Sequence, residues 1–220
     1  RIAFVPETIG AIAYCATNEV AMKRIDLGLV ITTVGGPGPF GYKRTFDASH
    51  PLNGLIEEVF HDAGVPFRVY PFDIHGRDER QYSSQAFRIN TATICRDRYY
   101  EYANYHTSLD DLSFVNGAQI LETLGLYRRL VEKLEARRVY RNAYPHCEVM
   151  LSKRGLYPTD GGVQCPELGG RSELDLILWL LFLSDGRRAI AEIARGLEVQ
   201  QDVLTPYVRR LEQEGLLVHV

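Results

Sequence analysis

The chain has 220 residues, 45% of them apolar and 24% charged, values of a globular protein that exclude a disordered one. Its net charge of −3 excludes a global basic field for nucleic acid or acidic membranes. The longest apolar run, Leu176 to Leu183, is too short to span a bilayer and reads as a buried helix.

Arg1 leads straight into an apolar run, with no initiator Met and no signal-peptide pattern. The chain therefore reads as the C-terminal half of a longer protein. Cys15, Cys95, Cys147 and Cys165 stand at no zinc-knuckle or redox spacing. They read as reduced thiols of a cytoplasmic protein.

Taken in order, Ile2 to Val5 predicts a short buried strand and Thr8 to Val20 a helix with apolar residues at helical spacing. Gly28 to Val34 is β-branched and apolar, which suits a central strand. Gly35-Gly36-Pro37-Gly38-Pro39 then breaks regular structure. Pro51 to Ala63 predicts a helix, with Pro at its start and Gly64 at its end. Phe67 to Phe72 and, more weakly, Ile89 to Cys95 read as strands. Phe114 to Arg137 predicts a long amphipathic helix with Ile120, Leu121, Leu124, Tyr127, Val131 and Leu134 on one face.

Strands alternating with helices predict an α/β fold over residues 1–138, with a doubly wound, mostly parallel sheet. Three loops should converge on one sheet edge: Glu7, Gly35 to Pro39, and Asp73 to Tyr82. Residues 139–171 are rich in Tyr, Pro and Gly and read as an ordered linker. Over residues 172–220, Leu174 to Leu183, Ala189 to Leu197 and Asp202 to Glu214 predict three helices, followed by a strand-like Leu216 to Val220. That order is a small winged helix-turn-helix, in which Pro206 sits in the first turn of the third helix or kinks it.

Glu7 follows an apolar run directly and is placed for general-base work; it equally caps the helix after it. His106, with Asp110 four residues on, can be a metal ligand whose second nitrogen a carboxylate holds, or a surface histidine. Asp78, Glu79, Arg80 and Tyr82 form a dense charged loop that can orient a substrate or merely face solvent. Lys43 and Arg44 can bind a substrate carboxylate or phosphate, or form a solvated basic turn.

Five segments in order resemble the zinc aminopeptidase-like superfamily, and within it a bacterial uncharacterised group whose domain is followed by a winged helix. They are Phe4 to Tyr14, Gly28 to Arg44, Asp78 to Tyr82, Tyr105 to Leu112 and Lys153 to Gly162. The resemblance implies a phosphorylase/hydrolase-like sheet, with Glu7 as general base and His106 as a zinc ligand. The superfamily's second Glu is Thr8 here, and its ligand Asp falls on Thr33, so two ligands are lost. A first His and a bridging Asp would precede Arg1. What the resemblance implies is a mono-zinc (Zn2+) amide or peptide hydrolase. The alternatives are a degenerate member that binds without turnover and a DNA-binding regulator.

Against DNA binding, residues 172–220 hold five Arg, no Lys and eight Asp or Glu. A packing or homo-oligomerisation role fits that tail better. The expected partners are a peptide or small amide, with no membrane.

Overall fold

The computed structural model describes residues 1–157 and 172–220. Cys165 and the last residues of the Lys153 to Gly162 segment lie outside them. Two units are formed, Arg1–Glu135 and Ala136–Val220.

In the first unit the elements are α1 (Ile9–Thr17), α2 (Glu19–Met22), β1 (Leu27–Ile31), β2 (Phe40–Lys43), α3 (Pro51–Ala63), β3 (Phe67–Tyr70), α4 (Glu79–Tyr82), β4 (Asn90–Arg96) and α5 (Gly117–Ala136). The punctuation of α3 is as its sequence requires. Pro51 opens it, the His50 side chain accepts from the Leu52 amide, and Gly64 closes it at φ 64°.

The sheet order is β1-β4-β2-β3, and the sheet is mixed rather than mostly parallel. β1 with β4 and β2 with β3 run parallel, while β2 and β4 run antiparallel. The cause is loop length. The segment between Ile31 and Phe40 is too short for a parallel crossover, which needs about a dozen residues, so β2 returns in the opposite direction. The stretch from Lys43 to Phe67 holds α3 and gives the parallel β3.

One sheet face is apolar. Phe40, Tyr42, Ala92 and Ile94 bury against Leu52, Ile56 and Phe60 of α3 and Leu126 and Leu130 of α5. The other face carries the alternate residues of β4, Thr91, Thr93 and Cys95. Glu79 of α4 lies on it, bonded to Thr93.

Several expectations are revised. Ile2 to Val5 is not a strand; Ile2 and Phe4 are exposed. An apolar run becomes a strand only where a neighbour takes its backbone hydrogen bonds, and none of β1–β4 pairs with it. The buried face of α5 is Thr123, Leu126, Tyr127 and Leu130, while Leu121, Leu124 and Val131 stay exposed. Tyr127 sets that rotation, because its hydroxyl proton is shared between the Val30 and Ile94 carbonyls (2.9 Å each) between β1 and β4.

The three loops do not meet at one sheet end. The glycine loop follows β1, and the Asp73 to Tyr82 segment follows β3, whose C-terminal end is opposite. What joins them is the segment after β4. Its Asp97 accepts from the Gly38 amide (3.0 Å), and its Tyr99 packs against Gly76 and Lys43.

The second unit contains β5 (Val139–Asn142), a 3-10 turn (Leu151–Arg154), α6 (Glu173–Leu183), β6 (Asp185–Ala189), α7 (Ile190–Gly196), α8 (Gln201–Gln213) and β7 (Leu217–His219). β5 is the central strand of an antiparallel sheet, order β6-β5-β7. The start of the expected 139–171 linker is therefore built into the winged unit, and Leu151 and Leu156 join its core. Pro206 lies inside α8, past its first turn. Among the described residues, no helix is long and apolar enough to cross a membrane.

Candidate functional site

Three consecutive residues of one charged run reach three different parts of the first unit. Arg77 is ion-paired to the carboxylate of Glu7. Asp78 is buried, and its Oδ1 accepts from the Thr8 amide (2.8 Å). Glu79 is fully buried and accepts from the Thr93 hydroxyl, while its Oε2 has no partner.

This clamp sets the start of α1. Thr8 stands at φ 62°, a left-handed conformation that costs a β-branched residue energy, and no side chain caps the helix. The Asp78 carboxylate takes the Thr8 amide instead. Glu7 is thereby turned away from the helix and toward Arg77, with its side chain half exposed.

Arg77 continues the connection. Its guanidinium lies over the ring of Tyr105, 5.3 Å from the centroid. Tyr105 in turn stacks on His106, with centroids 4.0 Å apart and planes 14° from parallel. His106 is exposed and stands at φ 57°. Glu7, Arg77, Tyr105 and His106 thus form one continuous patch. Burial pushes the Tyr105 phenol up, and the Arg77 cation pulls it down.

Asp110 does not hold His106. Its carboxylate accepts from the Tyr102 hydroxyl (3.2 Å). Burial, and then the Asp110 charge, push Tyr102 up to about 12.

The remaining candidates are tied into the fold. Lys43 is buried, with Nζ 3.0 Å from Asp73 Oδ1 and 2.6 Å from the His75 carbonyl. Arg44 pairs with Glu57 (3.0 Å). Arg80 is exposed and donates to the Ile74 carbonyl (3.3 Å). Tyr82 packs against the Cys15, Met22 and Ile89 cluster. The loop after β3 thus takes Lys43, and α3 takes Arg44 through Glu57.

Sequence reasoning missed Arg77 and underweighted Tyr105. The available signal was Gly76, which at φ 118° marks a turn that swings the next side chain out.

The donor set does not fit a zinc ion by itself. Among the described residues, no group of three or more His, Cys, Asp and Glu is placed to hold a metal. A guanidinium also occupies the carboxylate of Glu7.

Residues 1–137 match the family described as a domain of unknown function, DUF4910, and residues 138–219 match a winged helix-turn-helix. A Clostridium acetobutylicum protein described as a polysaccharide biosynthesis protein with an aminopeptidase-like domain is 35% identical over 205 residues. The match covers 91% of this chain and 46% of that protein. The crystal structure of a peptidase from Clostridium acetobutylicum superposes with TM-score 0.62 at 30% identity, over 98% of this chain and 47% of that one. A Bacillus subtilis zinc aminopeptidase gives TM-score 0.47 at 15% identity, over 57% of this chain and 32% of its own, a likeness too slight to carry an argument. The chain spans about half the length of the relatives it matches. It belongs to the DUF4910 family, joined here to a C-terminal winged helix-turn-helix, and is kin to a protein with an aminopeptidase-like domain.

Proposed function

We propose that this chain contributes part of the site of an aminopeptidase-like amide hydrolase, acting on a peptide or small amide. Glu7 is the proton acceptor for the attacking water. Arg77 holds the Glu7 carboxylate in place, and the exposed His106, stacked on Tyr105, orients the substrate. A zinc ion of such a hydrolase would need ligands besides His106 from the half of the relatives' length that this chain does not span.

One observation carries the reading. Glu7 and His106, about a hundred residues apart in sequence, are linked into one patch through Arg77 and Tyr105. The test is hydrolysis of aminoacyl p-nitroanilides by the full-length protein, with zinc supplied. Turnover that is lost in Glu7→Gln supports the reading, and undiminished turnover in that variant removes Glu7 as the base.

A second reading is a member that binds without turnover. The ion pair that occupies Glu7, together with Thr8 and Thr33 at the two lost ligand positions, favours it. Under it the full-length protein shows saturable amide binding and no rate above buffer.

A further inference from the structure

The helix α6 has the sequence ELDLILWLLFL, acidic in its first turn at Glu173 and Asp175 and apolar all round from Leu176 on. Its Leu176, Ile177, Leu180 and Leu181 fill the core of the winged unit. Trp179 and Phe182 do not. They are 42% and 78% exposed, with ring centroids 5.9 Å apart.

Beside them is an open cavity of about 750 Å³ between α6 and the segment after β5. Leu178, Trp179, Phe182 and Val149 give it apolar walls. That volume lies within the range of small-molecule sites, which combine such walls with a few convergent polar groups.

The charged groups here have one sign. Among the described residues, Glu148, Asp175 and Asp185 line the cavity, and no Lys, Arg or His does. Burial pushes the Asp185 carboxyl up. The amides of Arg187 and Arg188 and the Arg188 charge outweigh it, so the carboxyl ends below its ordinary value and is ionised at neutral pH. Ser184 also lines the cavity; its side-chain oxygen is buried and has no hydrogen-bond partner. A buried hydroxyl without a partner is costly and is satisfied by an incoming donor.

We infer that this cavity binds a small apolar amine, its body against Trp179 and Phe182 and its ammonium toward the carboxylates and Ser184. An ammonium offers three donors and no acceptor, which suits a rim of three carboxylates beside the Ser184 and Asn142 side chains. It also gains from the face of a Trp ring. A carboxylate ligand or a nucleic-acid phosphate is opposed there by the Glu148 and Asp175 charges. The inference does not depend on the proposed hydrolase reading, since every residue in it belongs to the winged unit.

Trp179 is the sole tryptophan of the chain, so its fluorescence reports the cavity directly. The experiment titrates the protein with 2-phenylethylamine at pH 7, followed by fluorescence and by calorimetry. Phenylacetate has the same ring with the opposite charge, and ethylamine has the charge without the ring. Saturable binding of 2-phenylethylamine is expected, at least about tenfold tighter than either control, because both charge and ring are read. Phe182→Ala and Glu148→Gln, both confirmed as folded by their melting curves, should each weaken it several-fold.

Equal binding of phenylacetate would overturn the inference. So would binding unchanged in both variants, or neither heat nor fluorescence change on titration. Self-association that Phe182→Ala abolishes, without amine binding, would assign the face to a second copy of the chain instead.

Discussion

Arg77 and Glu7, 70 residues apart in sequence, are ion-paired, and the Arg77 side chain is only 13% exposed. The pair links the segment before α1 to the turn before α4. A half-exposed carboxylate held this way is fixed in direction while still reachable by water and substrate.

Glu7→Gln should lower hydrolysis by the full-length protein about 10²-fold or more, the usual worth of a positioned general base. Stability should fall by about 1–3 kcal/mol, because Gln keeps an acceptor but leaves the mostly buried Arg77 guanidinium without its counter-charge. Initial rates and a melting curve on the same preparations check both halves of the expectation.

Glu79 separates charge from hydrogen bonding. Glu79→Ala leaves Thr93 without its partner and opens space beneath α4, at a cost of about 2–4 kcal/mol. Glu79→Gln keeps an acceptor for Thr93 and removes a buried charge, so it should be close to neutral. Urea midpoints of the two variants should differ accordingly, and equal midpoints would show that the Thr93 bond contributes nothing.

The glycine loop is shaped by Asp97. A Cβ on Gly38 would stand 1.6 Å from Asp97 Oδ1, and one on Gly36 would stand 2.1 Å from Oδ2. Gly38→Ala should destabilise by about 1–3 kcal/mol through this overlap. In Gly38→Ala with Asp97→Ala the overlap is gone, and the two changes should couple favourably rather than add. A double-mutant cycle from denaturant curves measures that coupling.

Stability should fall in alkali. Burial, and then the Glu79 charge, push Cys95 up to about 12 from an ordinary value of 9.0. A raised folded-state value means that the unfolded chain loses its proton first. The contribution is fully present below pH 9 and is lost as pH rises toward about 12. Burial raises Tyr99 and Tyr127 too, so they add in the same direction. Melting temperatures from pH 7 to 11 should be flat and then decline, and Cys95→Ala should flatten the decline. A curve that rises through this range would refute the account.

Local chemistry was legible where it is self-contained. Pro51 and Gly64 bracket α3, and the apolar run of α6 follows a Ser172 capping box. The winged helix was readable from the spacing of three helices, although its central strand β5 was not. Val139 to Asn142 is too short to signal itself and becomes a strand only when β6 and β7 pair with it. β2 was hidden in the same way, being four residues between a glycine loop and a basic pair.

The sequence by itself determined the α/β class, the winged helix and the candidate status of Glu7 and His106, because hydrophobic period and turn residues act over a few neighbours. Only the tertiary structure decided how they are connected. It turned α5 so that Tyr127 meets β1 and β4, gave Asp110 to Tyr102, buried Lys43 beside Asp73 and paired the partly exposed Arg44 with Glu57. It also brought Arg77 to Glu7. Long-range charge pairing depends on which loops the sheet order makes neighbours, and strand order leaves no period in the sequence.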